Sequence, residues 1–152
     1  MAFAKILVCV DGSGSSAKAA DYAIEMAEKH DAQLIALNVL VSQLGYAYSS
    51  GAFGLTATPS AINQILDSAK KESRKWFDQI ESKAAAQRVK VKTEMVASQT
   101  SIVQAIVDYA EKNEIDLIVT GTRGRSGFTK LLLGSVASGV ATYASCPVMI
   151  VK

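Results

Sequence analysis

Two short glycine-bearing stretches carry the groups in this sequence best suited to holding an anion. They are Thr120-Gly121-Thr122-Arg123-Gly124 and, after nine intervening residues, Gly134-Ser135-Val136. The first follows an apolar run, Ile115 to Val119, that reads as a buried strand; the second opens a helix-like segment reaching Ser145. Glycines let a backbone approach phosphate closely and adopt φ > 0, while the free N–H groups and dipole of a helix start favour negative charge. Ser135 adds a hydroxyl at that first turn, and Arg123, Arg125 and Lys130 add cations nearby. The same glycines also suit the tight turns of any parallel α/β sheet. Chemistry alone leaves both readings standing.

Other chemistries find less support. Gly12-x-Gly14-x-x-Ala17 fits a dinucleotide fingerprint, but the acidic residue expected at the end of the next strand is missing. That strand closes Leu37-Asn38-Val39-Leu40-Val41, and Asp31 lies at its wrong end. No Gly-x4-Gly-Lys-Ser/Thr occurs, so the usual P-loop is excluded. His30, the one histidine, is expected as a cation at a helix C-terminus, and no Ser/His/Asp set can be assembled near the glycine stretches. No metal-ligand cluster is apparent. Cys9 and Cys146 read as small buried hydrophobes rather than redox groups.

With a net charge of +2, no field is strong enough to suggest nucleic acid, and Arg88, Lys90 and Lys92 read as one solvated face. No stretch approaches the ~18 uninterrupted apolar residues of a membrane span. The opening residues run directly into a strand without a charged-then-apolar leader, and two cysteines make no disulfide framework. The cytoplasm is therefore the expected compartment. The 152 residues, 49% hydrophobic and 20% charged, suit one globular domain spanning 1–152.

The elements that must position these groups alternate strand and helix five times. Phe3 to Val10 is a β-branched apolar run closed by Asp11-Gly12-Ser13-Gly14. Ser15 or Ser16 is the expected cap of a helix whose stripe is Ala20, Ala23, Ile24 and Ala27. Gln33 to Val41 is a second, nearly all-apolar strand, as expected where both faces are covered. Residues 42–57 show no period; a run of this length often marks a functional loop, and Tyr46, Tyr48 and Phe53 within it suit a lid, a dimer contact or a plain surface loop.

Thr58-Pro59 opens a long helix with Ile62, Ile65, Leu66, Ala69, Trp76, Phe77, Ile80 and Ala84 at spacings of three and four. Val89 to Val96 alternates, as a half-exposed strand near a sheet edge does. Ser101-x-x-Gln104 is a capping box, with Ile102, Ala105, Ile106, Tyr109 and Ala110 facing inward behind it. Strand four is 115–119, and Pro147 leads into a fifth strand, Val148 to Val151. This pattern predicts a doubly wound, parallel α/β sheet.

Gly121-x2-Gly124-x9-Gly134-Ser135, with Lys5-Ile-Leu-Val-Cys-Val-Asp-Gly-Ser13 in front and Cys146-Pro-Val-Met-Ile-Val151 behind, resembles the signature of the nucleotide-binding universal stress proteins. The resemblance covers nearly the whole chain. It implies an adenine nucleotide α-hydrolase-like fold with strand order 3-2-1-4-5, so that Asp11 and Gly121 end neighbouring strands and meet in one crevice. It further implies that Cys9, Val10, Asp11 and Val39 surround a nucleoside, that Thr120, Gly121, Arg123, Gly124 and Arg125 hold ribose and first phosphates, and that Gly134, Ser135 and Val136 hold the outer phosphates. Asp11 alone reads as an ordinary turn aspartate bonded to its own backbone. The implied ligand is ATP, with or without Mg²⁺; the implied role is a sensor or regulator in a stress response, not an enzyme. A slow nucleotide hydrolase, a related transferase, or a nucleotide-free interaction protein are the alternatives. A homodimer pairing through the fifth strand is expected, since that apolar strand would otherwise leave an open edge.

Overall fold

The computed structural model describes residues 2–41, 59–98, 101–122 and 133–152. Among the described residues nine elements follow in chain order: β1 Lys5–Cys9, α1 Gly14–His30, β2 Gln33–Val41, α2 Pro59–Ala86, β3 Val91–Ser98, α3 Ile102–Lys112, β4 Leu117–Gly121, α4 Ser135–Tyr143 and β5 Val148–Val151. The five strands form one parallel sheet ordered β3-β2-β1-β4-β5, as expected. Lys5 pairs with Gln33 on one side of β1, and Ile6 pairs with Leu117 on the other.

Both faces of the sheet are apolar because consecutive side chains point to opposite sides and each side carries helices. Ile6, Val8, Leu34, Ala36, Leu117 and Val119 pack with Ala20, Ile24, Phe77 and Ile80 of α1 and α2. Leu7, Ile35, Leu37 and Ile118 pack on the other face with Ile106 of α3 and Val140 of α4. The alanine-rich stripe of α1 is buried as expected, with Ser16 and Ala19 joining it. On α2 the buried residues Ser73, Phe77, Ile80 and Ala84 recur at four, three and four, but Ile65, expected on that stripe, is 49% exposed. β3 is an edge strand and half exposed, as its alternation predicts. Thr58, Tyr46, Tyr48 and Phe53 lie outside the described residues.

β1 is shorter than its apolar run, β3 and β4 each end two residues later than expected, and the last helix ends two residues earlier. Helix exits account for the late starts of β3 and β4. Asp31, Arg88 and Glu114 take left-handed φ of 51°, 60° and 55° after α1, α2 and α3. Each exit closes alike: Ala32 N donates to Ala27 O, Val89 N to Ala84 O and Ile115 N to Ala110 O, each at 2.9 Å. This double-bonded helix stop usually employs glycine. Val89 and Ile115 are therefore spent on helix exits, so β3 and β4 begin two residues later than the apolar runs suggest. At the start of α3, Ser101 Oγ accepts from Gln104 N at 3.2 Å, but Gln104 Nε2 turns to Asp108 Oδ1 at 2.6 Å, leaving half a capping box. His30 is not simply a terminal cation: its Nδ1 accepts from Phe3 N at 3.3 Å, and the two rings lie 4.9 Å apart.

The start of β1 is pinned by Asp116, whose Oδ2 accepts from Ala4 N and Lys5 N, both at 2.8 Å, while Lys5 Nζ donates to Asn113 O at 3.0 Å. The carboxylate takes two N–H groups at once, which ends sheet pairing before Phe3. Asp116→Ala removes both bonds and should cost about 1–3 kcal/mol, read as a lower urea midpoint with an unchanged slope.

Candidate functional site

At the end of β1 the chain leaves the sheet through a tightly bonded corner. Val10 N still donates to Leu37 O at 2.8 Å, but Val10 O accepts from the side chain of Asn38, Nδ2, at 2.7 Å. Asp11 Oδ1 then accepts from Ser13 N at 2.9 Å, the turn aspartate bonded to its own backbone two residues on. Gly12 reverses the chain at φ 82°, and an added Cβ there would run into the Trp76 ring of α2. Ser13, not Ser15 or Ser16, caps α1: its Oγ accepts from Ser16 N at 3.1 Å. The turn closed by Asp11 delivers the chain to helix geometry sooner than its run of serines suggests. Ser16 is buried instead, accepting from Asp11 N at 3.3 Å and donating to Ser13 O at 3.2 Å.

The opposite wall is the end of β4. Thr120 is buried, and its hydroxyl donates to the Gly121 carbonyl at 3.3 Å. Gly121 is demanded by packing: a Cβ there would overlap Ser15 Oγ and lie 2.7 Å from the Ser15 carbonyl carbon. The first turn of α1 thus presses against the backbone of β4. Thr122 N donates to Val151 O at 2.9 Å, and Gly134 N donates to Thr122 O at 2.7 Å, so the chain returns beside its point of departure. Arg123, Gly124, Arg125 and Lys130 lie outside the described residues. α4 starts at Ser135 with Gly134 as its cap residue and, among the described residues, no side-chain hydrogen bond capping it. Its first N–H groups precede the first intrahelical bond, Ser138 N to Gly134 O at 3.0 Å.

Between these walls lies a cleft at the carboxyl ends of β1, β2 and β4. Its inner part, about 60 Å³, is lined by Cys9, Val10, Asp11, Val39, Thr120, Gly121 and Val136, all of them expected from the sequence, together with Leu37, Asn38, Ile102 and Ile106. An adjoining space of about 340 Å³ keeps Asp11, Asn38, Val39 and Val136 and adds Gly134, Ser135, Ser73 and Trp76. Thr120 and Gly121 of the first glycine stretch and Gly134, Ser135 and Val136 of the second therefore open on one cleft with Asp11. Val10 contributes chiefly its backbone, since its side chain packs in the α1–α2 core. The Cys9 thiol is pushed up to about 12 by burial and then by the charge of Asp11, so it stays protonated at neutral pH. Burial raises Cys146 as well, and both cysteines are free.

A family model described as the universal stress protein family matches residues 2–152. The chain belongs to the universal stress protein family. It is 34% identical over 151 residues to universal stress protein YxiE of Bacillus subtilis, covering 99% of each chain. Its fold superposes on that of the universal stress protein UspA from Lactobacillus plantarum with a TM-score of 0.83 at 27% identity, covering 100% of this chain and 99% of the other. A further universal stress protein, solved in complex with cAMP, gives a TM-score of 0.67 at 25% identity over 100% and 98% of the two chains.

In this universal stress protein, sequence reasoning missed Asn38, Ser73 and Trp76 as cleft residues. A signal was present for the first two: Asn38 interrupts an otherwise apolar strand, and Ser73 interrupts an otherwise apolar helix stripe. The contacts of Gly121 and Gly14 make opposite predictions. Gly121→Ala should destabilise by about 1–3 kcal/mol. Ser15→Ala should not rescue it, because the backbone and Cβ of Ser15 remain in the way at 2.7 and 2.9 Å. Gly14→Ala meets open space and should be neutral or stabilising by up to about 1 kcal/mol. Chemical denaturation of the three variants checks the contrast.

Proposed function

We propose that this universal stress protein binds an adenine nucleotide, foremost ATP, and acts as a sensor or regulator in a stress response rather than as an enzyme. The observation that carries the reading is the start of α4, which carries no side-chain cap among the described residues and opens on the same cleft as Asp11. A helix start with unclaimed N–H groups suits phosphate. An apolar slot bounded by Val39 and Ile102 suits a base, and Asp11 beside it suits ribose hydroxyls or an exocyclic amine. In this reading Cys9, Val10, Asp11 and Val39 surround the nucleoside. Thr120, Gly121, Arg123, Gly124 and Arg125 take the ribose and first phosphates, and Gly134, Ser135 and Val136 take the outer ones. The likeness to a relative in complex with cAMP supports the adenine choice.

Among the described residues no three His, Cys, Asp or Glu side chains converge on a metal-sized site. Mg²⁺ in this reading arrives on the phosphates with its own waters. Among the described residues no helix is long and apolar enough to cross a membrane. The proposed compartment is the cytoplasm, which cell fractionation checks.

Thermal shift with ATP, ADP, AMP, cAMP, GTP and NADH tests the ligand. An adenine nucleotide at 100 times its Kd should add about 2.7 kcal/mol of stability. NADH should add less, because Asn38 and Val39 stand where a dinucleotide site places a carboxylate. Stabilisation by NADH but not by ATP sinks the assignment, and stabilisation by none favours a nucleotide-free interaction protein. Hydrolysis of ATP at rates typical of enzymes sinks the sensor role.

The proposal includes a homodimer through β5, which lies at the sheet edge with Val148, Met149 and Ile150 half buried. Pairing two such edges about a two-fold axis removes an open apolar strand. Ile150→Lys should shift the protein towards monomer or aggregate in sedimentation experiments; a wild type that sediments as a monomer at high concentration refutes the dimer.

A further inference from the structure

Among the described residues four polar side chains are buried: Ser16, Asn38, Ser73 and Thr120. Ser16 and Thr120 serve turns in their own neighbourhoods. Asn38 and Ser73 do not. Asn38 is 5% exposed and Ser73 2%, and they join three elements far apart in the chain. Ser73 Oγ donates to Asn38 Oδ1 at 2.8 Å, and Asn38 Nδ2 donates to Val10 O at 2.7 Å.

The direction of this relay is fixed by chemistry. Val10 O can only accept, so the amide nitrogen of Asn38 must face it, and the amide oxygen must face Ser73. Ser73 then has to donate. Neither group can flip without placing two acceptors against each other. A pair of apolar residues of the same shape would lose the Ser73–Asn38 bond at little cost, but would leave Val10 O without its donor. Satisfying Val10 O does not by itself say what the relay is for.

Its geometry does. Val10 O and Asp11 N belong to one peptide plane. Asn38 holds the oxygen of that plane, and Ser16 Oγ accepts from its nitrogen at 3.3 Å. The plane is gripped at both edges, immediately before the Asp11 side chain leaves the backbone. One turn along α2 from Ser73, Trp76 rests on Gly12, the residue after Asp11. Asn38 and Ser73 also line the cleft themselves.

We propose that Asn38 and Ser73 are positioning residues for the nucleoside end of the cleft, setting the Val10–Asp11 peptide and through it the direction of the Asp11 carboxylate. The proposal rests on the adenine-nucleotide reading above. Small angular errors in a supporting residue are enough to spoil a binding group that must be held within about 0.5 Å. The start of α4 does not depend on this relay.

Calorimetric titration with ATP, adenosine and inorganic tripolyphosphate separates the two ends of the cleft. Ser73→Ala, which leaves Asn38 Oδ1 without its donor, should weaken ATP and adenosine in parallel by roughly tenfold, with tripolyphosphate unchanged. The double variant Asn38→Leu/Ser73→Ala leaves Val10 O without its donor and should melt below the wild type, and it should bind adenosine poorly while keeping tripolyphosphate. A purely structural role predicts that all three ligands weaken in proportion to the loss of stability. A folded double variant that binds adenosine like the wild type overturns the proposal and leaves the nucleotide reading intact. An equal loss for all three ligands overturns it too. A wild type that binds tripolyphosphate but neither adenosine nor ATP overturns the nucleotide reading and this proposal together. If the double variant fails to fold, the selectivity of Ser73→Ala alone decides.

Discussion

Right-handed crossovers between parallel strands are the constraint from which the rest of the architecture follows. From β1 the chain steps to β2 and then β3 in one direction across the sheet, with α1 and α2 packed on one face. It then crosses back over the sheet to β4 and steps on to β5 in the opposite direction, with α3 and α4 on the other face. Keeping the same hand while reversing direction forces the helices to change face. The chain must therefore part at the carboxyl ends of β1 and β4, one exit turning towards each layer. The cleft is a consequence of handedness before any side chain is chosen.

That opening is narrowed by two close approaches, each resting on a missing Cβ. Gly121 lets the first turn of α1 press on the end of β4, and Gly12 lets Trp76 of α2 lie on the corner after β1. A third, Gly139 of α4, meets Val103 of α3, where an added Cβ would sit 2.6 Å from Val103 Cγ2. Close packing transmits displacement because it has few voids to absorb it. The cleft walls are thus tied to the helices of both layers. Gly121 shows how two demands coincide at one position: packing requires a glycine there whether or not anything binds, and the resulting bare backbone is also what a phosphate or ribose approaches most easily.

Most of the framework was legible because burial writes a plain pattern. Apolar runs at 33–41 and 148–151 match their strands end to end, and the small-residue stripe of α1 matches its buried face. The strand order came from family resemblance, since alternation of elements does not by itself rank the strands. The differences fall where hydrogen bonding, rather than hydrophobicity, decides. Arg88 and Glu114 stop helices without the glycine that would announce them. Ser13 is selected as a cap over Ser15 and Ser16 by a turn that only three-dimensional closure reveals. Gln104 prefers Asp108 to its own helix start, and His30 is claimed by Phe3 across 27 residues of sequence. The cleft was legible in its glycines, Asp11 and Val39; Asn38 and Ser73 became meaningful only in three dimensions, where Asn38 donates to Val10 O and Ser73 donates to Asn38.

The two ends of the cleft differ in what holds them, and this bears on what a binding protein of this kind can discriminate. The α4 end presents backbone N–H groups whose geometry is fixed by the helix itself, so almost any side chain there preserves them. Such a surface recognises charge and is indifferent to what the charge is attached to. The β1 end is built from a side-chain carboxylate on a corner whose direction is set by Asn38, Ser16 and Trp76, drawn from β2, α1 and α2. Under the proposed function, selectivity among ligands sharing a phosphate chain arises at the β1 end, which among the described residues has the groups specific enough to distinguish one attached moiety from another. It also follows that the corner has to be more rigid than the phosphate end, because a misdirected hydrogen bond loses most of its discrimination within a few tenths of an ångström. Under the proposed positioning role, the buried relay between β2 and α2 supplies that rigidity.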